Sequence, residues 1–104
     1  MRTIEYVKLF ETHYRLRIRF DSDQGRVIRF LVQLERDLGG WTPIVRYDTA
    51  HGYAHCDILH PRGEHRKIPM PTQDYNQALT YAVNDLTENR EVYWRRYQAW
   101  LRQL

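Results

Sequence analysis

Four of the five histidines in this chain, His51, His55, His60 and His65, fall close together, and two aspartates, Asp48 and Asp57, stand among them. Histidine is the side chain whose unperturbed pKa lies near neutrality. A cluster of histidines with Asp and Arg is therefore the natural place for proton transfer. The stretch reads Arg46-Tyr47-Asp48-Thr49-Ala50-His51-Gly52-Tyr53-Ala54-His55-Cys56-Asp57, and nothing else in the chain concentrates that chemistry.

Alternation positions these groups. If residues 44–48 and 53–59 are strands joined by the loop 49–52, Asp48 faces Tyr53, Tyr47 faces Ala54 and Arg46 faces His55. Val45, Tyr47, Ala54, Cys56 and Ile58 then share an apolar face, while Arg46, Asp48, Tyr53, His55 and Asp57 share the other. On the polar face His55 is the candidate acid or base. Asp57 or Asp48 would orient its ring, Arg46 would neutralise developing negative charge, and Tyr53 would donate a hydrogen bond. The competing reading is an exposed cross-strand ion-pair set with a solvated histidine. Cys56 falls on the expected core face, where a lone thiol is packing rather than a nucleophile.

A metal reading also competes. His51, His55 and Asp57 are ligand types that zinc, iron or manganese accept. Strand spacing puts His55 and Asp57 on one face, but His51 would have to curl back from the loop. The expectation is therefore metal-independent chemistry, with no bound metal and no cofactor.

The arginines form a second pattern. Fourteen of the sixteen basic residues are Arg, and the net charge is +3. Tyr14-Arg15-Leu16-Arg17-Ile18-Arg19-Phe20 alternates without a break, so Arg15, Arg17 and Arg19 share one strand face. Alternate strand residues are about 7 Å apart, which roughly matches successive phosphates of a single nucleic-acid strand. The bland alternative is a charged, solvated edge that resists aggregation. With eight Tyr and three Trp available to stack on bases, the sharper reading is RNA contact, since no groove-reading motif for duplex DNA is present. Arg15, Arg17, Arg19, Tyr53 and His60 make up the candidate substrate-binding set. His51 or His60 would supply the second proton-transfer group.

The elements around these motifs read as one domain over residues 1–104. Strands are expected over about 3–70, including 4–10, 14–20, 27–38, 44–48, 53–59 and 65–70. The segment 27–38 also fits a helical face, but its β-branched residues and the following Gly39-Gly40 favour a strand. From Thr72, a candidate N-cap, apolar residues recur at three- and four-residue steps and predict a helix over 73–103. So long a helix either breaks near Thr87-Glu88-Asn89 or overhangs to meet a partner, including a second copy of the chain. Strands followed by helix imply an α+β fold: a mostly antiparallel sheet of five to six strands, with a long C-terminal helix packed on one face and the other face partly solvated. No apolar run approaches the ~18 residues of a membrane span. The opening residues lack the apolar stretch of a secretory signal, and the one cysteine permits no internal disulfide. These features together point to the cytoplasm.

The segment Val45-Arg46-Tyr47-Asp48, followed by Gly52 and His55-x-Asp57, resembles the central hairpin of small prokaryotic single-domain proteins, among them the TumE-like toxins of toxin–antitoxin pairs. The resemblance covers roughly residues 28–66 and is carried by Arg46, Tyr47, Asp48, Gly52, His55 and Asp57. It implies an α+β toxin that acts on RNA as a ribonuclease and is held inactive by an antitoxin. The reading of the residues alone leaves open a non-enzymatic protein-interaction or RNA-binding module.

Overall fold

The computed structural model describes residues 1–63 and 65–104. It has six strands, β1 (Arg2–Phe10), β2 (Tyr14–Asp23), β3 (Arg26–Asp37), β4 (Trp41–Asp48), β5 (His55–Leu59) and β6 (His65–Pro69), then two helices, α1 (Tyr75–Glu88) and α2 (Arg90–Leu101). The strands form one antiparallel sheet in chain order, a simple meander. This is the expected α+β class.

Local chemistry explains the connections. Gln24 and Gly25 both take positive φ, 51° and 78°, and join β2 to β3. Two successive left-handed residues match the right-handed twist of the strands they connect. The ambiguous segment 27–38 is a strand, with Phe30, Val32 and Leu34 buried beside Leu16 and Ile18. Residues 32 to 34 face β2 residues 18 to 16, so the two apolar rows stack rung by rung.

The core lies on one face. It joins Tyr14, Leu16, Ile18, Val32, Leu34, Val45 and Tyr47 of the sheet to Ala78, Ala82 and Leu86 of α1 and Tyr97 of α2. Small alanines let α1 approach β3 closely, and α2 continues over β4.

The helical run expected over 73–103 breaks at Asn89, the first of its two expected outcomes, and is two helices. Asn89 leaves the helical region with φ −107° and ψ 18°, yet its N–H still donates to Asp85 O. The break redirects the chain, so the second half stays on the sheet rather than overhanging it. The cap is also displaced: Asp74, not Thr72, accepts from the backbone N–H of Asn76 and Gln77. Asp85 ties the layers together. Its Oδ2 accepts from the Tyr47 hydroxyl at 2.7 Å and from the Tyr93 hydroxyl, and its Oδ1 accepts from Asn89 Nδ2 at 2.8 Å.

Cys56 sits under this layer as expected. Burial pushes its thiol from the ordinary 9.0 up to about 11, and burial likewise raises the hydroxyls of Tyr47 and Tyr93. These groups are neutral in the folded state, so their contribution is intact below their unfolded pKa values and is lost as pH rises through the folded ones. Ellman's reagent at pH 8 is expected to leave Cys56 unmodified in the native protein and to titrate one thiol after denaturation. Rapid native labelling would place Cys56 outside the core.

Candidate functional site

Strands β4 and β5 do pair, but two residues out of the expected register. Asp48 faces His55, Tyr47 faces Cys56, Arg46 faces Asp57 and Val45 faces Ile58. The expected Arg46–His55 rung is therefore replaced by Arg46–Asp57. The cause is a longer connection. Residues 50–52 form a short 3₁₀ turn in which His51 and Gly52 both have positive φ. Ala54 does not pair with β4: its N–H is taken by Gln73 Oε1 at 3.0 Å, and its carbonyl accepts from Met70 N–H. A shift of two leaves each side chain on its expected face.

Two rungs of the sheet carry the polar groups on the face opposite the helices. One runs Arg17, Gln33, Arg46, Asp57, Lys67 across β2 to β6, and the next runs Glu5, Arg19, Leu31, Asp48, His55 across β1 to β5. This face is partly solvated, as expected, with Glu5, Arg17 and Arg19 about half exposed, but part of it is closed. Gln33, Glu35, His55 and Asp57 are all buried, because the long side chains bonded to them lie over them.

His55 is the centre of one buried group and has no exposed surface. Its Nδ1 lies 3.0 Å from Tyr53 O, and a carbonyl only accepts, so Nδ1 carries a hydrogen. Nε2 faces Asp48 Oδ1 at 2.8 Å, Asp57 Oδ2 at 3.5 Å and Lys67 Nζ at 3.3 Å. The rings of Tyr53 and His51 stand 5.1 and 6.2 Å from that of His55. One ligand atom from each of Asp48, His55 and Asp57 lies within 4.8 Å of the others, an arrangement able to hold a metal ion. Asp48 is the least buried of the three, with 14% of its side chain exposed.

A second group adjoins it. Arg15 Nε and Gln33 Nε2 both donate to Glu35, and Arg46 Nε donates to Gln33 Oε1 at 2.7 Å. Arg46 then borders a cleft of about 340 Å³ lined also by Glu5, Arg17, Arg19, Leu31 and Asp48. Arg17 and Arg19 are half exposed and only loosely paired with Glu5, at 3.9 and 4.0 Å.

The structure thus brings together Arg46, Asp48, His55 and Asp57, with Tyr53 and Arg17 and Arg19 alongside. His51 is exposed on the loop. Two expected members do not join. Arg15 is committed to Glu35 and to the face of Trp41, 4.6 Å from the ring centre. His60 lies beyond β5 with its ring 4.9 Å from that of Trp100 of α2, on the helix side. Of His65, only its place as the first residue of β6 is described. Sequence reasoning missed Gln33, Glu35 and Lys67. Gln33 and Glu35 alternate with Val32 and Leu34, and that polar half of the strand was the available signal.

No helix among the described residues is long and apolar enough to cross a membrane. No curated protein and no solved structure matches the chain. A family model described as a domain of unknown function, DUF7718, matches residues 1–103, and the chain belongs to that family.

Proposed function

We propose that the polar sheet face binds single-stranded RNA in the cytoplasm, with arginines on successive phosphates, and that backbone cleavage takes place where the cleft meets Asp48. The observation that carries this reading is the cleft itself: Arg17, Arg19 and Arg46 line it together with Glu5 and with Asp48, a carboxylate backed by a buried histidine. Guanidinium groups suit phosphate and the charge that develops during its displacement. His55 is enclosed, so Asp48 is the member of the group that meets a substrate, and His55 positions it. The resemblance to TumE-like toxins adds an antitoxin as partner.

The non-enzymatic reading has an observation of its own. Edge strand β1 leaves Tyr6, Val7 and Leu9 exposed, whereas on α2 the exposed large apolar residue is Val92. An antitoxin or a second copy of the chain finds exposed apolar side chains at β1 as well as at the C-terminal helix.

Fluorescence anisotropy with a labelled single-stranded RNA over a salt series tests the binding. Each phosphate contact on a single strand contributes about 0.7 to the slope of log K against log salt. Arg17→Gln with Arg19→Gln is expected to flatten that slope by about 1.4, and Arg15→Gln is expected to leave it unchanged. An unaltered slope in the double variant would reduce these arginines to surface charge.

A further inference from the structure

Two carboxylates, Asp48 and Asp57, face His55 Nε2, and Lys67 Nζ stands 3.3 Å from Nε2 and 3.8 Å from Asp57 Oδ1. Asp57 is 93% buried by its side chain's 7% exposure, and its Oδ1 is buried without any hydrogen-bond partner among the described residues. A buried carboxylate oxygen left unbonded is costly, and a native fold rarely leaves one so without a reason. The orientation of His55 is a second observation at the same place. Nδ1–H is anchored on a backbone carbonyl, which leaves Nε2 to point at the carboxylates. This is the arrangement that fixes the tautomer of metal-ligating histidines.

We propose that Asp48, His55 and Asp57 bind a divalent first-row transition cation through His55 Nε2 and one oxygen from each carboxylate. Two ligands about 2.1 Å from one ion stand about 3.0–4.2 Å apart, depending on their angle. The distances from Nε2 to the carboxylates, 2.8 and 3.5 Å, fall near that range, and the full spread of 4.8 Å closes with a small carboxylate rotation. One nitrogen and two oxygens suit Mn²⁺ or Zn²⁺. Lys67 stands where the cation's charge is needed. It projects from the partly exposed edge strand β6, so its ammonium has a path to solvent when an ion enters. Three protein ligands leave further positions open on the Asp48 side, toward the cleft, as in catalytic rather than structural centres. The expected absence of a metal rested on His51 and His55 not sharing a face. In the fold Asp48 takes the place that His51 would have filled.

The site is measured without RNA, so it stands or falls apart from the proposed RNA contact. Untagged protein, treated with a chelator and exchanged into buffer, is titrated calorimetrically with Mn²⁺ alone and with Zn²⁺ alone, with melting curves for each. One ion per chain is expected, with a rise in melting temperature. Asp57→Asn keeps the shape of the site and is expected to weaken binding at least tenfold. Lys67→Met removes the competing charge and is expected to tighten it several-fold, which keeps the test intact if Asp57→Asn folds poorly. His51→Ala is expected to change nothing. Three results would each overturn the site: no saturable binding by wild type, binding indifferent to both Asp57→Asn and Lys67→Met, or binding lost with His51. If Lys67→Met lowers the melting temperature and binds no ion, the ammonium is the group's own cation.

Discussion

Asp48→Asn is expected to lower RNA cleavage by at least ~10²-fold, the usual scale for a group taking part in proton transfer, while the melting temperature moves little. Asp48 ends β4 and is the part of the buried group that opens on the cleft. Asn has the same shape and can still hydrogen-bond to His55, but it carries no charge and cannot take a proton. His55→Ala is expected to fail as completely for a different reason. The ring is fully enclosed and separates two carboxylates. Its removal leaves a cavity with facing charges, and a stability loss of about 2–4 kcal/mol accompanies the loss of activity. Arg46→Lys tests the third member. An ammonium cannot both bond Gln33 and present a planar fork to phosphate. The variants are assayed on total cellular RNA and by growth after induced expression, with melting curves as controls. Adding and withdrawing Mn²⁺ in the same assay separates a metal-dependent centre from the metal-independent one that the sequence suggests. If the wild type neither cleaves RNA nor slows growth, the ribonuclease reading is lost and the interaction module replaces it.

The strand pattern was legible because alternation is a local property. Leu16 and Ile18 against Arg17 and Arg19 already separate two faces, and the fold keeps that separation. Which polar residues meet was not legible, because register depends on the connections. The hairpin between β4 and β5 slipped by two because Ala54 is claimed by Gln73 and Met70, from a segment that periodicity cannot link to it. His60 is a different kind of miss. Alternation from Cys56 through Ile58 already directs it to the core side, where it meets Trp100. The pairing of Arg15 with Glu35 was hidden by register too, since β2 and β3 pair with a bulge at Asp21 and Ser22. The helix break at Asn89 follows from the size of the sheet: a straight helix over 73–103 would run off it.

Glu35→Ala is expected to cost about 2–3 kcal/mol, below the 3–5 kcal/mol typical of broken buried ion pairs because Arg15 keeps part of its surface in water. In a domain of this size that corresponds to a fall in melting temperature on the order of 10 °C. Glu35 is buried and accepts from both Arg15 and Gln33. A carboxylate can only accept, so it fixes which end of the Gln33 amide points toward it. The other end, Oε1, is thereby left to accept from Arg46. The position of Arg46 at the cleft thus depends on a charge on the neighbouring strand, relayed through Gln33. Glu35→Gln tests this chain directly. It preserves volume and one acceptor but presents an NH₂ to one of two donors. The amide of Gln33 must then turn over or lose a bond, and either change disturbs Arg46. Glu35→Gln is expected to cost about 1 kcal/mol in stability, the scale of one hydrogen bond, and to reduce RNA cleavage by more than that loss explains. Urea unfolding of both variants, with cleavage measured well below the transition, separates the two effects. Glu35→Ala within about 0.5 kcal/mol of wild type, the range of an ordinary surface substitution, would show that Arg15 and Gln33 are satisfied by water and that nothing on this face holds Arg46 in place.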